Sequence, residues 1–458
     1  MRTGELGYWW RSLGGAPPRR APLSGPLEAD VAIVGAGFTG LWTAYYLARA
    51  DPSLSIVVLE REFAGFGASG RNGGWVMGSF SGPARAYEKN GGRERLLALR
   101  HAMFETVNEV ERFLAEHRVD ADYLKSGRLT VALNEAQLAR VRAEVREARA
   151  AGLAEDDVRV LSRAQLEAMV RVAGARGASF TPHVARVHPA KLVVGLAAAC
   201  AALGVKIFES TPVRELRARE AATQQGTVRA RWVVRATEGY TRTLRGYERA
   251  LVPMNSSMII TEPLSQETWG EIGWSGNELL GDGANAYVYL QHTAEGRIAI
   301  GGRGRPYRYG SRTDLAGEIP RATIDSLRAK LTSMFPAVAG AEIDHAWSGV
   351  LGVPRDWCVS VNADEQSGIA WAGGYVGEGV AASNLAGRTL CELLLGEPGP
   401  LAALPWVGRH PRRWEREPLR WGEIHGVYAL YRTADRLERR GSRPSLLGRL
   451  VDRASGRH

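Results

Sequence analysis

The residues Gly35-Ala36-Gly37-Phe38-Thr39-Gly40 have the G-x-G-x-x-G spacing at which a backbone can wrap a diphosphate. Gly35 permits a tight turn, Gly37 lets the main chain approach the phosphates, and Gly40 allows close packing of the next helix. The helix N-terminus adds amide donors and partial positive charge. Spacing alone carries little, because 54 of 458 residues are glycine, and roughly one such match is expected by chance. Context carries the weight. The motif follows the apolar run 29–34, opens a helical stretch over 41–50, and is followed by Ile56-Val57-Val58-Leu59, which ends in Glu60. An acidic side chain there can accept from ribose hydroxyls. The order is that of a dinucleotide-binding βαβ unit with buried parallel strands.

A second loop, Gly67-Ala68-Ser69-Gly70-Arg71-Asn72-Gly73-Gly74, interleaves hydroxyl, guanidinium and amide donors with close-approach glycines, which suits a longer ligand. A third, Gly373-Gly374-Tyr375-Val376-Gly377-Glu378-Gly379, leads into a predicted helix over 380–395 with Gly396 as its C-cap. The N-terminus of that helix can stabilise negative charge on a bound ligand.

The elements that position these loops alternate along the chain. Helices are predicted over 94–116, 135–153, 189–203 and 320–334. Strands are predicted over 127–133, 205–209, 232–237, 286–290 and 297–300. With 45% hydrophobic and 24% charged residues the chain is globular and of two to three domain-sized units. Three scattered cysteines exclude a disulfide framework and show no metal spacing. No apolar run reaches the length of a membrane span, so a soluble cytoplasmic protein without a membrane partner is expected. The net charge of +10 comes mostly from arginines mixed among carboxylates and does not point to nucleic acid. The tail beyond Arg409 is different: it is basic, with Trp414, Trp421, Tyr428 and Tyr431 among arginines. It reads as an arm packed on the body or on another subunit, the latter giving a homo-oligomer; an anionic partner is the third alternative.

Together, residues 31–40, Glu60, 67–74, Ala236-Thr237-Glu238-Gly239 and 373–379 resemble the D-amino-acid-oxidase-like flavoproteins, and within them the γ-glutamylputrescine oxidase group. The resemblance spans about residues 28–398. It implies an α/β fold with a discontinuous, glutathione-reductase-like (Rossmann-type) FAD-binding domain and an inserted α+β substrate domain on a large mixed sheet. The expected division is 1–95, 176–250 and 341–400 for FAD, 96–175 and 251–340 for substrate, and 401–458 as a basic, aromatic helical extension. The resemblance also implies adenine contacts near Glu60, Arg61 and Val213, phosphate contacts near Ser69 and the adjoining Gly67 and Ala68, and flavin contacts near Arg71, Asn72, Gly73, Gly74, Gly377, Gly379 and Val380. Ala236 closes the strand end that joins them. Relatives that tether the flavin use a His in the stretch matching 71–75 or a Cys before Pro354-Arg355-Asp356; this chain has neither, so FAD is expected to be noncovalent.

The implied chemistry is oxidation of a CH–NH bond of an amine by hydride transfer to flavin N5, imine hydrolysis, and reoxidation by O2 to H2O2. Tyr287 and Tyr289, two apart and so on one face of a strand, and Trp347 are the pocket candidates; sheet packing is the alternative for each. Arg303 and Arg305 reach a ligand or solvate a loop, and His188 and His345 read as structural. Where amino-acid oxidases of this family place a carboxylate-clamping Arg, this chain has Leu351, which favours an amine over an α-amino acid. An amino-acid or N-methyl amino-acid oxidase is the enzymatic alternative, and a flavin-bearing binding protein the alternative of another class. Oxidase and dehydrogenase stay open, because the Lys that sarcosine oxidases use toward oxygen is replaced near Ala299.

Overall fold

The structure, a computed structural model, describes residues 1–313, 315–396, 399–440 and 444–455. Strand Leu27–Val34 lies at the centre of an eight-stranded sheet, parallel to Ile56–Leu59 on one side and Thr227–Arg235 on the other. Lys206–Phe208 extends the sheet past Ile56–Leu59, and Ile369–Gly373 extends it past Thr227–Arg235, both in parallel. Val31, Ala32, Ile33 and Val34 are all buried, as expected for a parallel strand covered on both faces. Helices Phe38–Ala50, Pro189–Ala202 and Gly379–Leu395 share that core. Gly387 lets the last of these close on the first, since a Cβ there would lie 2.8 Å from the Trp42 Cβ.

The second sheet has nine strands in the order Arg2–Thr3, Ile343–Val353, Val252–Thr261, Ile298–Gly302, Tyr289–His292, Leu279–Asp282, Arg128–Ala132, Gly177–Thr181, Arg159–Ser162. Helix Arg321–Met334 packs its Ile324, Leu327 and Leu331 on one face. One cross-strand row runs Trp347, Met258, Gly301, Tyr289, Gly281, Thr130. Because alternate residues share a face, this row and its i±2 neighbours form the surface turned toward the nucleotide-binding half. A small sheet of Trp75–Met77, Val184–Arg186 and Leu124–Lys125 bridges the two halves.

Several boundaries differ from expectation. Gly177–Thr181 and Ile343–Val353 pair into the nine-stranded sheet, although 176–250 and 341–400 were assigned to the nucleotide side. The apolar strand signal could not say which sheet a strand joins. The helix expected over 94–116 runs from Ala84 to Glu116 with a break at Gly92, and its Leu96, Leu99 and Met103 sit in the nucleotide-side core. The strand expected over 286–290 begins only at Tyr289.

The tail packs on its own body. Helix Leu419–Arg440 lies across the loops leading into and out of Tyr289–His292 and Ile298–Gly302. The Asp435 carboxylate accepts from the backbone N–H of Asn285 at 2.9 Å and of Ala286 at 3.0 Å. Glu438, almost fully buried, pairs with Arg140 at 2.7 Å. Trp414 Nε1 donates to the Val353 carbonyl at 2.8 Å. Of the three alternatives for the tail, the packed arm is the one seen; residues 441–443 and 456–458 of it lie outside the described residues. Among the described residues no helix is long and apolar enough to cross a membrane.

Candidate functional site

A cleft with about 1100 Å3 of empty space, part of it open to solvent, lies at the C-terminal ends of the parallel strands, where the three glycine loops converge. Gly35, Gly37, Phe38 and Thr39 line it from the first loop. Glu60, Arg61, Val213 and Ala236 line it from strand ends, and Gly67, Ala68, Ser69 and Asn72 from the second loop. Gly377, Gly379 and Val380 complete it from the third.

The first loop is glycine by necessity. Gly35 has φ +107°, and a Cβ there would lie 2.6 Å from the Ala236 carbonyl oxygen. A Cβ on Gly40 would lie 2.0 Å from the Gly35 carbonyl oxygen, which is the close helix packing its position suggested. Ser69 Oγ accepts the Phe38 N–H at 2.8 Å and so ties the second loop to the first. Glu60 accepts from the N–H of Ala36 at 2.8 Å and of Glu62 at 2.9 Å, while burial holds its carboxyl above the usual range. The Arg61 guanidinium stands 5.0 Å from the Tyr240 ring centroid at the same end.

The third loop is clamped by a residue not singled out from sequence. Glu238, whose own φ is +39°, accepts from the N–H of Gly374 at 3.0 Å and of Tyr375 at 3.2 Å. Burial pushes its carboxyl up to about 7, against the pull of those bonds, of the Gly352 N–H and of Arg235. Tyr375 in turn meets Thr39 Oγ1 through its hydroxyl at 3.0 Å. The acidic residue at a strand end was the available signal, but the spacing to Gly374 is 136 residues and carries no pattern.

Gly40, Arg71, Gly73 and Gly74 do not line the cavity. The Arg71 guanidinium donates to the carbonyls of Phe66 at 2.9 Å and Leu315 at 2.8 Å, bracing the loop from behind. Gly73 and Gly74 press on the nine-stranded sheet: a Cβ would lie 2.7 Å from the Tyr289 ring and 2.3 Å from Gln291 Nε2, respectively. Gln291 Nε2 donates to the Gly74 carbonyl at 2.9 Å. Trp347 is fully buried and does not wall the cavity; its Nε1 donates to the Arg71 carbonyl at 2.9 Å. The N-terminal arm, with its Tyr8-Trp9-Trp10 run, seats the same loop through Trp9 Nε1, donating to the Asn72 carbonyl at 2.7 Å.

Tyr289 sits on the face that meets Gly73, with its hydroxyl 2.8 Å from Ser256 Oγ, whereas Tyr287 lies outside the strand and is 37% exposed. Tyr287 lies in the connection that follows the turn at 285–286, before the strand begins, so the alternation expected to pair them does not reach it. His188 caps helix Pro189–Ala202, accepting the Lys191 N–H, and burial lowers its pKa to about 4, so it stays neutral. His345 bonds the Gly4 carbonyl. Arg305 is exposed on its loop. Arg355 is engaged by Glu415 at 3.0 Å and Glu423 at 2.7 Å, away from the cavity, which Val350 and Leu351 line with apolar surface.

The family model described as FAD dependent oxidoreductase matches residues 30–393, covering all three glycine loops. The chain belongs to that family. Among curated members of the family, γ-glutamylputrescine oxidoreductase of Escherichia coli (strain K12) is 30% identical over 82% of this chain and 85% of its own. The probable oxidoreductase OrdL of Haemophilus influenzae is also 30% identical, with the same coverage. Among solved structures, glycine oxidase from Geobacillus kaustophilus superposes with a TM-score of 0.70 over 84% of this chain and all of its own, at 20% identity. L-Proline dehydrogenase from P. horikoshii gives a TM-score of 0.68 over 83% of this chain and 98% of its own, at 18% identity.

FAD is the cofactor of this family, and the residues present fit it. The cavity is long enough to span from Glu60 and Arg61 to Gly377, and the backbone at Gly35 and Gly37 leaves room for phosphates. Nothing at residues 71–75 can attach it covalently, and Cys358 is buried behind Gly82 with its thiol pushed up to about 12 by burial. The cofactor is held noncovalently.

Proposed function

We propose that this oxidoreductase oxidises the CH–NH bond of a primary or secondary amine, γ-glutamylputrescine being the first candidate. The observation that carries the reading is the apolar wall of Val350 and Leu351 where an α-carboxylate would need a guanidinium, together with the engagement of Arg355 elsewhere. The named activity of the Escherichia coli relative supports it. When bound, FAD supplies the acceptor for two electrons from the C–H bond.

The chain's own residues supply position and exclusion of water. Ser69 and the N-terminus of helix Phe38–Ala50 hold the phosphates, and Gly377–Val380 the flavin end. Tyr289 faces the substrate, with Tyr287 at the rim; Trp347 acts from behind the flavin loop. The resulting imine is released to water, and O2 accepts the electrons to give H2O2. Two functional parts follow the two sheets, and the protein works in the cytoplasm.

An anaerobic titration with γ-glutamylputrescine tests the reading. Loss of the flavin band near about 450 nm supports amine oxidation; an unchanged band with every amine, alongside reduction by glycine or sarcosine, overturns it. An oxygen electrode then separates oxidase from dehydrogenase.

A further inference from the structure

Strand register places Arg128 on the face that meets the flavin loop. Leu279 pairs with Arg128, Gly281 pairs with Thr130, and Gly281 also pairs with Tyr289. Residues two apart share a face, so Arg128, Leu279, Gly281 and Tyr289 point the same way. Trp75 covers this strip, 5.9 Å from the Tyr289 ring and with the Arg128 guanidinium 5.8 Å from its own. Among the described residues Arg128 forms no ion pair, and its buried Nε finds no hydrogen-bond partner. A half-buried guanidinium with no carboxylate bonded to it among the described residues costs stability, which a bound anion would offset.

Facing it is Glu378, immediately before helix Gly379–Leu395 and hydrogen-bonded by Ser79 Oγ at 3.1 Å. Burial holds the Glu378 carboxyl above the usual range, against the pull of the nearby Arg128 and Arg303 charges. Arg303 donates to the Val376 carbonyl at 2.9 Å, next to the Gly377 that lines the FAD cavity. Arg128 stands two strands from Tyr289, about 10 Å across the sheet. A carboxylate on the reacting carbon could not span that distance.

We propose that Arg128 binds a carboxylate carried by the substrate several bonds from the oxidised amine, so that the substrate class is an amine with a remote carboxylate. This rests on the amine reading and on Tyr289 as the wall of the reacting end. Arg128 thereby sets specificity without touching the chemistry.

The holoenzyme is assayed with N-succinylputrescine and N-acetylputrescine, whose amine ends are identical and which differ in the carboxylate. N-Butylsuccinamate, which has no amine, serves as a binding probe read by perturbation of the flavin spectrum. The expected result is a preference of about thirtyfold in kcat/KM for the succinyl compound, carried by KM. Arg128→Met reduces it to within about threefold and abolishes probe binding, while Arg128→Lys keeps part of both. Arg305→Met, on the exposed loop, changes neither.

Equal use of both amines by the wild type, or a preference that survives Arg128→Met, overturns the proposal and leaves amine oxidation standing. Oxidation of α-amino acids that depends on Arg128 also overturns it. Probe binding that depends on Arg128, with no amine reducing the flavin, supports the carboxylate site and defeats the amine reading instead. Should Arg128→Met not fold, the Lys variant decides: unaltered preference and probe binding count against the site.

Discussion

Trp347 Nε1 donates to the carbonyl of Arg71 at 2.9 Å, so an indole on the nine-stranded sheet holds the loop that carries Asn72, Gly73 and Gly74. That indole was expected in the substrate pocket and lies instead behind the loop, fully buried. Replacing it with Phe keeps the packing and removes one buried hydrogen bond, worth about 1 kcal/mol. Trp347→Phe should therefore raise the Kd for FAD roughly fivefold in a fluorescence titration and leave the relative rates for different amines unchanged.

The glycines of the first loop differ in what they protect. A Cβ on Gly40 would meet backbone at 2.0 Å, whereas one on Gly37 would meet only Ser69 Oγ at 3.0 Å. Gly40→Ala should yield protein with a lowered melting temperature and no flavin absorbance. Gly37→Ala should fold with a near-native melting temperature and bind FAD at least about tenfold more weakly, since its methyl stands where phosphate approaches.

Glu238 makes the stability of the FAD-free protein depend on pH. Its carboxyl is raised by burial to about 7 from an ordinary 4.5, so the neutral form is favoured in the fold. The contribution is fully present below the ordinary value and is lost as pH rises through about 7. Urea unfolding should show stability falling by roughly 3 kcal/mol between pH 5 and 8 from this group, a slope that Glu238→Gln flattens.

Glu438 is buried against Arg140 at the far end of the tail helix. Glu438→Ala leaves that guanidinium partly buried without its partner, at a cost of about 3 kcal/mol. A lower unfolding midpoint is expected, together with a raised KM for the amine. Asp435, on the same helix, holds the backbone of Asn285 and Ala286 just before Tyr287, so loosening the helix loosens the loops around the proposed substrate site.

What the chain alone determined is local. A strand, a glycine turn and a helix follow one another within about thirty residues in a βαβ unit, and turn geometry, capping and apolar runs are short-range constraints. Hence the turn from Gly35 to Gly40, the strand end at Glu60, the loop at Ser69 and the helix ending at Gly396 were legible as local elements. What tertiary structure decided is pairing and register. Whether Ile343–Val353 joined one sheet or the other depended on its partner Val252–Thr261. Tyr289 faces Gly73 because its strand starts there, and a shift of one residue would have turned it away. The amides that Glu238 holds, the Asn72 carbonyl that Trp9 seats, and the remote guanidinium of Arg128 are meetings of residues far apart in sequence. No periodicity encodes them, because they arise only when two sheets close on each other.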